Sequence, residues 1–251
     1  MKSAATPHPL LATFERAAAT YLAHAGVQTA MAEWLAEWLP GERDGRALEV
    51  GAGPGIFTRL MLPWRGPLMA SDLSPAMCAV GRAMLPEVSW RVMAAETPEG
   101  GPWDWIFSSS VLQWAADPAA VFAAWHGCLP PGGRVLSGLF IKESLPEWRA
   151  VAGGEAPLEW RTIEEWRAHL NRAGLRIVRD EIRKRVFTHS SARAFLRSLH
   201  GVGAAPARRF AAGRLRRLLH DYEARHGTPQ GVKATWMFYR FEAECKGPSQ
   251  Y

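Results

Sequence analysis

Apolar positions in the first 45 residues recur three or four residues apart. This spacing predicts a helix from about Val27 to Leu39, ended by Pro40-Gly41, and a shorter helical piece around Phe14 and Tyr21. Further along, short apolar runs alternate with helical patterns. The alternation predicts an α/β fold with a mainly parallel sheet.

The apolar runs read as seven strands, and most of the stretches between them read as helices. The predicted strands cover residues 47–50, 67–70, 88–93, 105–109, 134–140, 175–187 and 234–243. The predicted helices cover residues 56–62, 75–85, 118–129, 162–173, 191–199 and 207–226, with Ser74 as the N-cap of the second and Pro75 at its first position. Ligands of such sheets bind beyond the carboxyl ends of the strands, where the loops at 51–55, 72–74, 94–98 and 109–115 lie.

Length and composition favour one large domain or one domain with an insertion. The chain has 251 residues, 48% of them apolar and 22% charged, which is typical of an ordinary globular protein. No run approaches 18 apolar residues, so we expect no membrane span. The first residues are too weakly apolar for a signal peptide, and we expect a cytoplasmic location.

The cysteines, the histidines and the charge of the chain exclude further classes of protein. Cys78, Cys128 and Cys245 form no C-x-x-C pair, which favours free thiols in a reducing compartment. No H-E-x-x-H sequence is present, so we predict no metal site. The net charge is +6, and the stretch 181–220 holds ten basic residues and one acidic residue. We predict no nucleic-acid partner, because the aromatic and glycine motifs of such modules are missing.

One segment carries recognisable chemistry. The sequence Glu49-Val50-Gly51-Ala52-Gly53-Pro54-Gly55 is a strand, a glycine turn and the start of a helix. Asp72 ends the next strand, where a carboxylate accepts hydrogen bonds from a ribose diol. These features predict a nucleoside ligand. The spacing G-x-G-x-G differs from the G-x-G-x-x-G of dinucleotide folds.

This segment, with Glu49 two residues before the first glycine, resembles the first motif of class I S-adenosylmethionine-dependent methyltransferases. The later Leu129-Pro130-Pro131-Gly132-Gly133 resembles the sequence before their fifth strand. The resemblance implies a Rossmann-like sheet of seven mostly parallel strands in the order 3-2-1-4-5-7-6, with strand 7 antiparallel. It also implies S-adenosylmethionine as the cofactor.

Four further segments resemble the malonyl-[acyl-carrier protein] O-methyltransferases of biotin synthesis. They run in the family's order over nearly the whole chain: Phe14 to Tyr21 followed by Val27-Gln28, Ser108 to Trp114, Ser144 to Glu147, and Phe195 to Ala204. The Gln113-Trp114 pair and the Arg197-to-Ala204 segment are the selective ones. The implied reaction is methylation of the free carboxyl group of a malonyl thioester early in biotin synthesis.

The resemblance also implies which residues bind the cofactor. They are Arg16, Glu49, Gly51, Ala52, Gly53, Gly55, Asp72, Leu73, Met77, Ala94, Ala95, Glu96 and Ser108. Ala94 stands where the family has an aspartate that holds the adenine amino group. Either Glu96 replaces that aspartate, or backbone and apolar contacts alone hold the adenine.

Methyl transfer to a carboxylate is an in-line displacement by a group that is already ionised at neutral pH. It needs positioning and desolvation rather than a general base. We predict that Arg197 grips the acceptor carboxylate and that Tyr21 closes the site. Gln113 and Trp114 follow strand four, where the methyl group is expected to point.

The predicted organisation is one methyltransferase domain over residues 1–251. It carries an N-terminal helical cap at 10–40 and a helical lid at 190–230 between strands six and seven. We expect a monomer whose partner is an acidic acyl carrier protein. The basic residues that we expect to steer this carrier are Arg193, Arg208, Arg209, Arg214, Arg216 and Arg217.

Two other functions stay open from the sequence. One keeps the fold and changes the acceptor to another small carboxylic acid. The other is a non-catalytic cofactor-binding or assembly protein, suggested by Ala94 at the expected aspartate position.

Overall fold

The computed structural model describes residues 11–154, 160–204 and 210–247. Its strands form one sheet. They are β1 (Ala47–Val50), β2 (Leu68–Asp72), β3 (Ser89–Val92), β4 (Trp105–Ser109), β5 (Arg134–Phe140), β6 (Leu175–His189), β7 (Gly227–Thr228) and β8 (Gly231–Cys245). The seven predicted strands are present, three of them with the predicted bounds. The two-residue β7 was not predicted.

Helices connect most of the strands and cover both faces of the sheet. They are α1 (Leu11–Ala17), α2 (Tyr21–His24), α3 (Gly26–Ala36), α4 (Ile56–Met61), α5 (Pro75–Met84), α6 (Pro118–Cys128), α7 (Pro146–Val151), α8 (Ile163–Arg172), α9 (Ala192–Gly201) and α10 (Ala212–His226). A short 3-10 helix, Leu112–Trp114, follows β4. The sequence pattern missed α7, whose six residues are too few to display a helical period.

The sheet has the strand order β3-β2-β1-β4-β5-β8-β6, and β7 pairs with β8. Strands β1 to β5 are parallel, and β8 runs antiparallel to both β5 and β6. With β7 set aside, this is the predicted order 3-2-1-4-5-7-6. The direction of strand succession reverses between β1 and β4, and such a reversal opens a crevice at the carboxyl ends of these strands.

Local capping explains where several helices begin. Ser74 Oγ accepts a hydrogen bond from the Met77 N–H at 3.3 Å, and Pro75 is the first residue of α5, as predicted. Asp117 caps α6 by accepting from two backbone N–H groups, 3.0 and 3.2 Å away. Thr162 and Glu165 form a reciprocal capping box at α8.

The N-terminal helix α3 is held to the sheet by a buried arginine. Arg240 of β8 lies between Trp34 and Trp38, with its guanidinium carbon 4.3 and 4.1 Å from the ring centroids. Its guanidinium donates to Glu181 on the neighbouring strand at 2.5 Å and to the backbone carbonyl of Trp34. Since the charge is paired and the rings cover it, a buried cation is tolerated there.

Helices α9 and α10 lie between β6 and β8, in the region of the predicted lid. The buried face of α9 carries Phe195 and Leu199, which pack into the same core as α3 and α7. The C-terminal end of α9 contacts the N-terminal helices, where Thr20 Oγ1 donates to the Gly201 carbonyl at 3.5 Å. In the described part of the chain, no helix has the length and apolar character needed to cross a membrane.

Candidate functional site

The turn after β1 is built from glycines with positive φ. The φ angles are +69° at Gly51, +55° at Gly53 and +94° at Gly55, a region that side chains with a Cβ rarely adopt. A Cβ added to Gly51 would also overlap the side chain of Val111, which follows β4. The glycines therefore let the chain turn sharply into α4 while the backbone stays close to the carboxyl ends of the strands.

Asp72 ends β2 beside this turn, and the turn holds its carboxylate in place. Oδ2 accepts from the Gly53 N–H at 2.9 Å, and Oδ1 accepts from the Ser74 N–H at 2.8 Å. Burial raises the pKa of Asp72, and these two hydrogen bonds oppose the shift. Each carboxylate oxygen keeps lone pairs for further donors such as ribose hydroxyl groups.

Glu49 is a second carboxyl group at the site, and it is buried. It lies in β1, is 1% exposed, and its Oε2 accepts from Thr58 Oγ1 at 2.6 Å. Burial raises the pKa of Glu49 to about 8, against the hydrogen bond from Thr58, and the neighbouring Asp72 contributes to the rise. The carboxyl group is therefore mainly neutral at pH 7. A cation bound nearby would favour its ionised form.

These groups line a cavity over the carboxyl ends of the central strands. Its walls come from the N-terminal helices, the glycine turn, and the loops after β2, β3 and β4. The lining residues are Phe14, Tyr21, Gln28, Ala32, Glu49, Val50, Gly51, Ala52, Gly53, Pro54, Ile56, Phe57, Asp72, Leu73, Met77, Met93, Ala95, Glu96, Ser109, Ser110, Val111, Leu112, Trp114 and Ala115.

Eleven of the seventeen predicted site residues line this cavity: Tyr21, Glu49, Gly51, Ala52, Gly53, Asp72, Leu73, Met77, Ala95, Glu96 and Trp114. Six do not: Arg16, Gly55, Ala94, Ser108, Gln113 and Arg197. Glu96 thus lines the cavity and Ala94 does not, so the adenine role of Glu96 stays a prediction.

Arg197 is exposed on the outer side of α9, although its predicted role requires the side that faces the acceptor. The buried residues of this helix are Ala192, Phe195, Leu196 and Leu199, spaced as one helical face, whereas Arg197 is exposed. The predicted grip on the acceptor carboxylate requires Arg197 on the inner face of α9, and this expectation is wrong because the apolar residues occupy that face.

The other displaced residues have local explanations. Arg16 is exposed on α1, and Phe14 of the same helix lines the cavity instead. Ser108 is fully buried inside β4, where it pairs with Ser137 of β5. Neighbouring side chains of a strand point to opposite faces, so Ser108 faces away from the cavity that Ser109 lines. Gln113 is buried, and its Nε2 donates to the Ser110 carbonyl at 2.8 Å. Gly55, before α4, shapes the turn without lining the cavity.

Several lining residues were not predicted, and Phe14, Gln28 and Ser110 are the informative ones. The ring of Phe14 meets Trp114 edge-on, with centroids 5.8 Å apart, so two aromatic rings form one wall. Ser110 has a positive φ of 61°, which is unusual for a residue with a Cβ and often marks functional loops. Gln28 belongs to the Val27-Gln28 pair that resembles the family, but the resemblance gave it no role, and a single polar residue at the start of an apolar helix carries no signal by itself.

The ionisable groups with a formal charge in the cavity lining are all acidic. They are Glu49, Asp72 and Glu96, and within the described residues the lining contains no lysine, arginine or histidine. Burial and the nearby Asp72 raise the pKa of Tyr21 well above its ordinary value, so its hydroxyl stays a hydrogen-bond donor. The described residues contain no group of three or more His, Cys, Asp or Glu placed to hold a metal ion. The acidic groups of the lining therefore suit a ligand with positive charge and hydroxyl donors.

The sequence was compared with protein families and curated proteins. Residues 23–180 match the model of a methyltransferase domain. A malonyl-[acyl-carrier protein] O-methyltransferase from Hahella chejuensis is 31% identical over 243 residues, covering 89% of this chain and 85% of that protein. A biotin biosynthesis bifunctional protein from Bordetella avium is 33% identical over 237 residues, covering 90% of this chain. The chain spans only 50% of that longer relative.

Solved structures share the fold at low identity. A phosphoethanolamine N-methyltransferase from Haemonchus contortus, with S-adenosylhomocysteine bound, superposes with a TM-score of 0.60 at 16% identity. The match covers 96% of this chain and 60% of that chain. It is a likeness of fold, and it agrees with the arrangement of sheet and glycine turn described above.

Asp72→Asn is expected to weaken S-adenosylmethionine binding about 10- to 100-fold, since a hydrogen bond to a charged group contributes about 1.5–3 kcal/mol. Isothermal titration calorimetry measures the change. Asp117→Asn is the matched control, because Asp117 also accepts from backbone N–H groups but lies outside the cavity lining. Equal affinity in the Asp72→Asn variant and the unmodified protein would rule out the ribose assignment.

Glu49 is expected to make the free energy of unfolding fall as the pH rises. Between its ordinary pKa of 4.5 and about 8, the folded chain keeps a proton that the unfolded chain releases. The free energy of unfolding falls by at most about 1.4 kcal/mol per pH unit. The stability that the bound proton contributes is fully present only below pH 4.5. Urea denaturation of the ligand-free protein from about pH 5 to 9 measures it. The Glu49→Gln variant should lack this part of the pH dependence. If the free energy of unfolding of both proteins changed with pH in the same way, the raised pKa of Glu49 would be contradicted.

Proposed function

The chain belongs to the malonyl-[acyl-carrier protein] O-methyltransferase family of S-adenosylmethionine-dependent enzymes, and we propose that it methylates the free carboxyl group of a malonyl thioester on acyl carrier protein. The observation that carries this proposal is the cavity at the carboxyl ends of β1, β2 and β4. It combines a glycine turn, the Asp72 carboxylate held by two backbone N–H groups and an aromatic wall, and the proposed reaction needs no catalytic base beside them.

The residues of the cavity fit the cofactor. Asp72 is fixed for a ribose diol, and Met77 and Ala95 offer apolar contacts for an adenine ring. The carboxylate of Asp72 favours a positively charged ligand, and such a ligand would in turn favour the ionised form of Glu49. When bound there, S-adenosylmethionine supplies a methyl group on a sulfonium, an electrophile that an ionised carboxylate attacks directly.

The chain's contribution to the reaction is positioning and exclusion of water. Phe14 and Trp114 present apolar rings to the cavity, so an acceptor carboxylate placed there loses part of its hydration and becomes a better nucleophile. Tyr21 keeps its proton and can donate a hydrogen bond to one carboxylate oxygen while the other oxygen attacks the methyl carbon in line. Transfer of the methyl group would form the ester bond as the bond between the methyl carbon and the sulfur breaks, with the electron pair staying on the sulfur.

The outer surface of α9 and α10 is proposed to meet the acidic carrier. Arg193 and Arg197 are exposed on α9, and Arg216 and Arg217 are exposed on α10. Arg214 instead lies over the ring of Phe210, at 5.0 Å. Arg208 and Arg209 lie outside the described residues. Exposed cations of this kind raise the rate of encounter with an acidic protein more than the stability of the complex.

The relatives named for biotin biosynthesis suggest the wider setting. We propose that the chain acts in an early step of biotin synthesis, in the cytoplasm and as a monomer. Its three cysteines are free, Cys78 and Cys245 buried and Cys128 partly so, and a reducing compartment would keep them so.

The proposed reaction is tested by measuring methyl ester formation on malonyl-acyl carrier protein by mass spectrometry. Acetyl-acyl carrier protein, which lacks the free carboxyl group, is the matched control acceptor and is expected to gain no methyl group. Free malonate and aconitate test the alternative of a small-acid substrate. Turnover on either free acid that equals turnover on the malonyl carrier would contradict the proposal.

Replacing both Arg193 and Arg197 by alanine is expected to raise KM for malonyl-acyl carrier protein several-fold at low salt, with kcat unchanged. The effect should fade toward about 0.5 M salt, where screening has already removed the steering. Steady-state rates at several ionic strengths measure it. The pair Arg59→Ala and Arg172→Ala, exposed on α4 and at the end of α8, removes the same charge elsewhere and is the control. A fall in kcat at every salt concentration would contradict a docking role for these two arginines.

A further inference from the structure

Gln28 is a polar residue of the cavity that the proposed reaction leaves without a role. It lies in the first turn of α3, and Ala32, one turn later on the same face, also lines the cavity. Its neighbours Val27 and Met31 point into the apolar core instead. An amide side chain at the boundary between core and cavity has a strong need for hydrogen-bond partners.

The side-chain oxygen of Gln28 has no such partner. Oε1 is buried, and within the described residues no donor lies within hydrogen-bond distance of it. The two carboxyl groups deep in the cavity differ in this respect, since Asp72 accepts from Gly53 and Ser74, and Glu49 accepts from Thr58. A buried acceptor without a donor costs about 1–3 kcal/mol, so its retention beside a ligand cavity points to a donor on the ligand.

The position of α3 tells which part of the ligand Gln28 meets. The adenosine end is marked by Asp72 at the end of β2 and by Ala95 and Glu96 after β3. Helix α3 packs on the other side of the glycine turn, against α4, β4 and β5. Gln28 therefore lies toward the methionine end of a cofactor whose ribose is held by Asp72.

Only one group at that end can donate to an amide oxygen. The acceptor carboxylate is ionised and offers acceptors alone, and the ribose hydroxyls lie at Asp72. We propose that Gln28 Oε1 accepts a hydrogen bond from the α-ammonium group of the cofactor's methionine moiety. This inference rests on the proposed function for the identity of the cofactor. Glu49 also lines the cavity, and a bound ammonium group would favour its ionised form.

The test compares three ligands that share the adenosine part and differ in the groups attached to its sulfur, and each ligand is compared between the variant and the unmodified protein. S-adenosylhomocysteine carries both the ammonium and the carboxylate, decarboxylated S-adenosylmethionine carries the ammonium alone, and 5′-methylthioadenosine carries neither. Gln28→Leu, which keeps the size of the side chain, is expected to bind the first two about 10- to 100-fold more weakly and the third with unchanged affinity. Calorimetry gives the dissociation constants. Thr29→Ala, on the next position of the same helix and outside the cavity lining, should leave all three unchanged.

Three outcomes would overturn the inference. Equal weakening of all three ligands would mean that Gln28 supports the helix rather than the ammonium group. If S-adenosylhomocysteine alone bound more weakly, the partner of Gln28 would be the carboxylate of that ligand, which would accept from the amide nitrogen of Gln28. Unchanged affinities with a raised KM for the malonyl carrier would place Gln28 at the acceptor. Failure of the proposed function looks different, because the unmodified protein would then bind none of the ligands or methylate no malonyl carrier.

Discussion

The close approach of the glycine turn to the loop after β4 is the constraint on which the site depends. Gly51 leaves β1 with a positive φ, and Val111 occupies the space where a side chain of residue 51 would stand. Any Cβ there would push the turn and the loop apart. Because β1 and β4 are neighbours at the reversal of strand order, the cavity exists only as long as these two segments stay in contact.

The electrostatic character of the cavity depends on two carboxyl groups, Asp72 and Glu49, that the glycine turn and the helix after it hold by hydrogen bonds. The turn supplies the Gly53 N–H that fixes Asp72, and the helix it leads into supplies the Thr58 hydroxyl that holds Glu49. Burial of both groups makes their charged forms costly. A cationic ligand offsets that cost, so affinity for a sulfonium or ammonium cofactor is built into the fold before any acceptor arrives.

The chain has 12 tryptophans against 4 tyrosines, and the structure shows what most of these tryptophans do. Trp103, Trp125, Trp148 and Trp166 are fully buried in the core, and Trp34 and Trp38 enclose the guanidinium of Arg240. This enclosure fixes the C-terminal half of α3 to β8, and the first turn of the same helix carries Gln28 to the cavity. Of the twelve, Trp114 is the one that lines the cavity in the described residues. Most of this excess therefore belongs to packing, and the sequence by itself offered no account of it.

Features that depend on residues close together in the chain could be predicted from the sequence. The strand, glycine turn and helix at residues 47–61, the acidic strand end at Asp72 and the Ser74 cap each depend on a few consecutive residues. The strand order followed from a family resemblance rather than from periodicity. What only the tertiary structure decided is which side of an element meets the cavity. Arg197 faces outward because Phe195 and Leu199 take the core, and Gln28 faces the cavity because α3 is anchored by Arg240. The apolar spacing of α9 does indicate its buried face, but the rotation of α3 is set by contacts between segments far apart in the chain, and no local pattern indicates it.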